Sequence, residues 1–96
     1  MDDRELIRMA EKAKENAYCP YSKFRVGAAV LTGNNKVYTG ANIESASYGA
    51  TCCAERTAVY KAVSEGETKL KAVAIASDEK DFIYPCGICR QVLAEF

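Results

Sequence analysis

The stretch TCCAERTA, residues 51–58, organises the rest of the chain, because it marks the start of a helix that carries reactive side chains. We predict a helix over residues 52–64, with Thr51 as its candidate N-cap. Cys53 and Glu55 would then lie in the first turn, where unpaired backbone N–H groups and the helix dipole stabilise a thiolate. The stretch therefore predicts a reactive or metal-binding site at the start of this helix.

A second cysteine motif, PCGIC at residues 85–89, lies at the start of a third predicted helix. A CxxC motif alone indicates either a redox-active pair or half of a zinc site, and adjacent Cys52 and Cys53 lack the spacing of a second CxxC. Cys53, Cys86 and Cys89 would fill three positions of tetrahedral zinc and leave the fourth open to water. That arrangement is typical of catalytic zinc.

Charged side chains accompany these cysteines. Three thiolates around one Zn²⁺ would leave a negative site, and Arg56 and Arg90 are the candidates to offset that charge. The chain has no histidine, so proton transfer must fall to a carboxylate, a thiol, a lysine, a tyrosine or a metal-bound water. Glu55, two residues after Cys53, is the candidate proton shuttle; a solvated helix glutamate is the ordinary alternative.

The rest of the pattern predicts elements on both sides of this stretch. We expect a helix over 3–17, strands over 24–31 and 36–39 joined by a turn at 33–35, a polar loop over 40–49, an end to the second helix at Gly66, a strand over 70–76 and a helix beginning near Pro85. This order indicates an α/β layered domain with a mixed sheet. No repeat or linker interrupts it, so we expect one domain over residues 1–96.

Composition narrows the class of ligand. The chain has 96 residues, of which 49% are hydrophobic, and its 13 basic residues balance 13 acidic ones. This balance argues against a nucleic-acid polymer or an anionic membrane and favours a neutral small molecule. No apolar run is long enough to span a bilayer and the acidic N-terminus shows no secretory pattern, so a cytoplasmic location is expected. Five cysteines in a reducing compartment indicate metal ligands or reactive thiols more than disulfides.

Four ordered motifs, at residues 17–29, 40–48, 51–58 and 85–93, resemble those of the small, homotetrameric, zinc-dependent cytidine deaminases. The resemblance covers essentially the whole chain. It implies a three-layer-type cytidine deaminase-like domain, with the zinc-site helices packed on a mixed β-sheet. Family members normally continue past the third helix with two more strands, so the resemblance also implies that the C-terminal strands are absent from this chain.

The resemblance implies a role for each matched residue. One Zn²⁺ per subunit would be bound by Cys53, Cys86 and Cys89, and Glu55 would shuttle protons while zinc-activated water deaminates cytidine or deoxycytidine. The products would be uridine or deoxyuridine and ammonia, in pyrimidine salvage. The substrate-binding positions would be Phe24, Asn42, Glu44, Ala54, Ala46 and Tyr48, of which the last two act across a subunit boundary.

Two other interpretations stay open. The chain could act on another aminopyrimidine nucleoside, such as an aminonucleoside antibiotic, or it could be an inactive or structural zinc-binding fragment of the fold. Phe24 could equally belong to the core. Cys19 and Cys52 fit buried thiols and receive no role.

Overall fold

The computed structural model describes residues 3–47 and 51–78, and the predictions for Tyr48 and for the third helix lie outside these residues. Its helices are α1 (Asp3–Ala13) and α2 (Ala54–Ser64), and its strands are β1 (Val26–Thr32), β2 (Val37–Ala41) and β3 (Leu70–Ser77). A short 3-10 turn, Lys14–Asn16, extends α1. No helix in this part of the chain is both long and apolar enough to cross a membrane.

Three elements start later than predicted. β2 runs over Val37–Ala41 instead of 36–39, so the prediction of a loop beginning at residue 40 was wrong. At the other two starts, those of β1 and α2, nearby side chains bond to the backbone. β1 begins at Val26 instead of residue 24, because the Phe24 carbonyl accepts a hydrogen bond from the Asn42 side chain. The N-cap of α2 is Cys53, so the prediction of Thr51 was wrong. The Thr51 hydroxyl instead accepts a hydrogen bond from the Ser45 N–H.

The three strands form one sheet in the order β2-β1-β3, and β1 pairs antiparallel with both neighbours. β2 and β3 therefore run in the same direction but do not touch, since β1 lies between them. The mixed pairing expected from the sequence is not present among these three strands. The connection through α2 crosses β1 from one edge of the described sheet to the other.

One helix covers each face of this sheet, so the described residues form three layers. α1 packs on one face through the buried cluster Leu6, Ala10, Ala29, Leu31 and Ala74. α2 packs on the other face through the buried cluster Ala28, Val30, Ala54, Ala58 and Val59. Successive residues of β1 point to opposite faces, which explains why both faces of this strand are apolar in the sequence.

Gly40 sets the distance between α2 and β2. A Cβ atom at this position would lie 2.5 Å from the backbone nitrogen of Ala58 and 2.8 Å from the carbonyl oxygen of Ala54. Only glycine therefore allows the first turns of α2 to press against the strand. This contact holds the end of α2 that carries Cys53 and Glu55 directly on the sheet.

Candidate active site

A cleft of about 300 Å³ lies at the N-terminal end of α2. Its walls come from the segment before β1, the segment after β2 and the first turn of α2. Six of its lining residues are ones that the sequence analysis selected: Phe24, Asn42, Glu44, Cys53, Ala54 and Glu55. Tertiary structure thus gathers side chains from three distant parts of the sequence around one cavity.

Backbone hydrogen bonds hold these segments together beyond the main sheet. The N–H and carbonyl groups of Ile43 and Cys52 exchange two hydrogen bonds of 2.8 Å. On the other side of Ile43, the Tyr18 N–H donates to the Asn42 carbonyl at 2.9 Å, and the Glu44 N–H donates to the Tyr18 carbonyl at 2.8 Å. Because alternate residues of an extended segment point the same way, Asn42 and Glu44 share one face of this segment.

The first turn of α2 brings a thiol and a carboxylate to the cleft. Cys53 is the N-cap, and its carbonyl accepts a 3.0 Å hydrogen bond from the Thr57 N–H. Glu55 lines the cleft and is only 5% exposed. Within residues 3–47 and 51–78, no group donates a hydrogen bond to its carboxylate. Glu55 is therefore a buried carboxylate without a donor among these residues, and it lies at the N-terminal end of α2, where the helix dipole favours negative charge. Such a carboxylate is suited to exchanging a proton with a ligand.

Arg56 lies beside the Cys53 sulfur. Its Nη2 atom is 3.9 Å from Cys53 Sγ and donates a 2.9 Å hydrogen bond to the Thr51 carbonyl. The carbonyl bond orients the guanidinium group toward the sulfur. The arrangement lets Arg56 offset negative charge on a thiolate, which is the role that the sequence predicted for it.

Glu44 presents a carboxylate whose orientation is set by a neighbouring loop. Its Oε1 atom accepts hydrogen bonds from the N–H groups of Tyr21 (3.0 Å) and Ser22 (3.1 Å), and its Oε2 atom accepts one from the Ser22 hydroxyl. The Ser22 hydroxyl contributes most to lowering the pKa of Glu44, followed by the Ser22 N–H. Glu44 is therefore held as an anionic acceptor at the edge of the cleft.

The Asn42 side chain spans the start of β1. Its Nδ2 atom donates to the Phe24 carbonyl at 2.9 Å, and its Oδ1 atom accepts from the Val26 N–H at 3.0 Å. A carboxamide has two N–H donors and two acceptor positions, so, counting partners among residues 3–47 and 51–78, one of each remains for a ligand. These bonds also anchor the backbone of Phe24, whose half-buried side chain forms part of the cleft wall.

The other predicted positions lie elsewhere. Ala46 lines an adjoining cavity of about 450 Å³, which shares Ser22, Glu44 and Thr51 with the cleft. Tyr48, Cys86, Cys89 and Arg90 lie outside the described residues. Within the described residues, no three His, Cys, Asp or Glu side chains are grouped so that they could hold a metal ion.

Sequence reasoning gave no site role to four residues that line the cleft, namely Ser22, Val26, Thr51 and Cys52. The Cys52 sulfur accepts a 3.4 Å hydrogen bond from the Thr57 hydroxyl. Ser22 and Cys52 both occur inside the matched motifs, two residues before Phe24 and one before Cys53. Proximity to a predicted site residue was the signal that could have identified them.

Comparisons with known proteins identify relatives of this sequence and of its fold. A cytidine deaminase of Halalkalibacterium halodurans is 56% identical over 95 residues, which cover 99% of this chain and 72% of the relative. One from Sporosarcina psychrophila is 53% identical over 96 residues, which cover 100% of this chain and 71% of the relative. The crystal structure of a cytidine deaminase from Burkholderia pseudomallei matches with a TM-score of 0.94 and 46% identity, over 99% of this chain and 76% of that one.

The family model described as the cytidine and deoxycytidylate deaminase zinc-binding region matches residues 1–96, the full length of the sequence. The cysteine and glutamate at the start of α2 lie within that match. The fold of the described residues has a close counterpart among solved cytidine deaminases. The chain therefore belongs to the cytidine and deoxycytidylate deaminase family that this zinc-binding region defines.

Proposed function

We propose that this chain is a zinc-dependent hydrolase that replaces the 4-amino group of cytidine or deoxycytidine with oxygen and releases ammonia. The observation that carries the proposal is the single cleft that contains Cys53, the buried carboxylate of Glu55 and the polar pair Asn42 and Glu44. Relatives that are 53% and 56% identical over nearly the whole chain and are described as cytidine deaminases support the same activity.

One zinc ion per subunit would be held by Cys53, Cys86 and Cys89. The donor set fits, because thiolate sulfur is a preferred zinc ligand and Cys53 lies at a helix start with the Arg56 guanidinium 3.9 Å from its sulfur. Bound zinc in such a site lowers the pKa of water and so supplies a nucleophile near neutral pH.

Glu55 would move the protons. It accepts a proton from the attacking water and delivers it to ring N3, which makes C4 more electrophilic. It would then take the second proton of that water from the new C4 hydroxyl, which becomes the carbonyl, and pass it to the departing amino group, which leaves as ammonia. Its burial supports this role, because few waters can compete for the proton in a site from which solvent is largely excluded.

The polar pair Asn42 and Glu44 would bind the sugar. Asn42 retains one donor and one acceptor for a hydroxyl group, and Glu44 is an anionic acceptor. Phe24 would pack against the base, and Ala54, which is fully buried at the start of α2, would line the base pocket. The small cleft and the balanced charge of the chain favour a free nucleoside over a polymer.

We further propose that the chain works in the cytoplasm, in pyrimidine salvage, as a homotetramer in which Ala46 and Tyr48 serve a neighbouring subunit. Large apolar side chains close to the cleft support self-association. Tyr18 is 57% exposed, Tyr21 is 63% exposed and Ile43 is 42% exposed. Contacts with another copy would cover such surface.

The test is zinc content together with uridine formation, followed as loss of cytidine absorbance, on this 96-residue chain. We expect stoichiometric zinc and turnover, loss of turnover with zinc retained in Glu55→Gln, and loss of both in Cys53→Ser. A panel of substrates that includes an aminonucleoside antibiotic tests the alternative that the chain is a related deaminase. Turnover of the antibiotic in place of cytidine would favour that alternative. Zinc without turnover on any nucleoside would instead indicate a structural zinc module.

A further inference from the structure

The segment between α1 and β1 folds around the Glu44 carboxylate. Two consecutive N–H groups, those of Tyr21 and Ser22, donate to Oε1, and the Ser22 hydroxyl donates to Oε2. Consecutive N–H groups that converge on one oxygen form an anion-binding concavity. The Glu44 carboxylate thus fills an anion-binding site formed by Tyr21 and Ser22, although Ser22 is 22 residues away in the sequence.

The Ser22 hydroxyl also contacts the backbone of Phe24, a residue that lines the same cleft. The Phe24 N–H donates to Ser22 Oγ at 3.1 Å. A hydroxyl has one proton to donate, so accepting from Phe24 leaves that proton for the Glu44 carboxylate. One oxygen atom therefore links the backbone of Phe24 to the Glu44 carboxylate, and both residues line the cleft.

The backbone of this segment has an unusual conformation at Lys23, next to the residues that bind the Glu44 carboxylate. Lys23 has φ of 60°, in the left-handed region that non-glycine residues rarely adopt. Its N–H donates to the Cys19 carbonyl at 3.0 Å and closes the turn. Strain of this kind persists where surrounding contacts hold it, and here the turn aims the donors of Tyr21 and Ser22 at one carboxylate.

The acceptor positions on Glu44 can be counted. Each carboxylate oxygen offers two acceptor positions. Both positions on Oε1 are used by backbone N–H groups, whereas Oε2 accepts only from the Ser22 hydroxyl. Within the described residues, Oε2 is therefore the atom of this carboxylate that retains a position for a ligand, and Ser22 determines the direction of that position.

We propose that Ser22 is a positioning residue for sugar recognition, which directs Glu44 Oε2 to accept one ribose hydroxyl of the substrate. The proposal rests on the proposed function, since it assumes that a nucleoside occupies the cleft. Without the hydroxyl, the two N–H groups would still hold Oε1, but the carboxylate could pivot about that atom, and the direction of the Oε2 acceptor would no longer be fixed. Ser22 then acts on substrate affinity and leaves the chemical step alone.

The experiment compares Ser22→Ala and Ser22→Thr in the full chain, with cytidine as substrate and 2′,3′-dideoxycytidine, which lacks both ring hydroxyls, as competitive inhibitor. We expect Ser22→Ala to raise the KM for cytidine about tenfold, as loss of a hydrogen bond to a charged group would, with kcat within about twofold. The inhibition constant of the dideoxy compound should stay within about twofold. Ser22→Thr, which keeps the hydroxyl, should restore the KM.

Three results would overturn the proposal: an unchanged KM for cytidine, an equal loss of affinity for both compounds, or a fall in kcat alone. If Ser22→Ala does not fold, Ser22→Cys, a close match in size with a weak donor, takes its place. Ser64→Ala, at the far end of α2, is the matched control and should behave as the unsubstituted chain. Absence of uridine formation by the unsubstituted chain would instead count against the proposed function.

Discussion

Two glutamates of this chain are buried to nearly the same degree but lie in opposite environments. Glu67 is 7% exposed, and both of its oxygens are bonded, Oε1 by the Thr32 hydroxyl at 3.0 Å and Oε2 by the Asn34 amide at 2.8 Å. Glu55 is 5% exposed and receives no hydrogen bond within the described residues. Burial alone therefore does not separate a carboxylate that bonds to the fold from the one proposed to be catalytic.

The difference lies in what each carboxylate is bonded to. Buried polar groups in folded proteins nearly always have partners, and an exception points to a ligand or a catalytic role. Glu67 ties the β1–β2 turn to the segment between α2 and β3, and each of its carboxylate oxygens is bonded to the fold. Glu55 lines a cleft instead, which is the arrangement that its proposed role in proton transfer requires.

The largest expected effect separates the two carboxylates by function. Glu55→Gln should lower kcat for cytidine by about 10²- to 10⁴-fold, because the amide cannot carry the proton. Its free energy of unfolding, measured in urea at fixed protein concentration, should be equal or higher, since a charge without donors is removed. Glu67→Gln is the control and should keep its turnover per folded molecule. Comparable turnover in the two variants would break the comparison.

The glycines near the two carboxylates provide the second test. Gly40→Ala should lower the free energy of unfolding by about 3 kcal/mol and reduce activity, because the new Cβ would displace the end of α2 that carries Glu55. Gly33→Ala, in the turn next to the Glu67 end, places its Cβ 3.5 Å from the nearest atom, Lys69 Cβ. That control should change stability by less than about 0.5 kcal/mol. Equal effects in urea denaturation would mean that α2 can move away from β2 without loss.

Removal of the hydrogen-bonded carboxylate of Glu67 should have a smaller effect, and it should change stability without changing turnover. Glu67→Ala should cost about 2 kcal/mol, because the Thr32 hydroxyl, which is 1% exposed, would lose its acceptor. Glu65→Ala, two residues earlier and exposed, is the matched control and should lie within about 0.5 kcal/mol of the unsubstituted chain. Turnover per folded molecule should be unchanged in both. A large loss of turnover in Glu67→Ala would show that the two ends of the fold are coupled.

Asp78 provides a third carboxylate, exposed and ion-paired, with the smallest expected effect. Hydrogen bonds from the Arg25 side chain and then from its N–H lower the pKa of Asp78 from 3.8 to about 2, and Lys14 lies 3.6 Å away. Because the folded pKa is the lower one, this pair stabilises the fold above pH 3.8, and the contribution disappears as the pH falls through about 2.

NMR titration of the Asp78 carboxyl carbon measures this shift directly. The midpoint should lie near pH 2 in the unsubstituted chain and move toward 3.8 in Arg25→Gln. Lys14→Gln should move it less, because Lys14 is the last of the contributing causes. A midpoint near 3.8 in the unsubstituted chain would show that solvent screens the pair completely.

Helices and strands were predictable from local patterns, and their ends were not. The alternation of residues 24–31 indicated β1, yet the strand begins at Val26 because a side chain 16 positions away takes the preceding hydrogen bonds. Similarly, α2 has its N-cap at Cys53 because the Thr51 hydroxyl bonds to Ser45. Sequence periodicity carries no information about such partners.

The chemical groups of the candidate site could be identified from motif spacing, whereas the residues that hold them in place by hydrogen bonds over long sequence distances were not identified. Cys53 and Glu55 fall in one helical turn by spacing alone. The contact between Arg56 and the Cys53 sulfur was also expected, since three residues along a helix bring side chains close together. Ser22 was missed, because its importance comes from Glu44, to which it is adjacent only in the folded chain.

Local order along the chain was enough to specify that a thiol and a carboxylate share the first turn of a helix, since helical geometry relates near neighbours only. The fold alone decided which carboxylates accept hydrogen bonds from distant side chains and which have no donor among the described residues. Glu67 meets Thr32 across 35 residues, and Glu44 meets Ser22 across 22. Hydrogen-bond partners this far apart are brought together only when the sheet and both helices have packed.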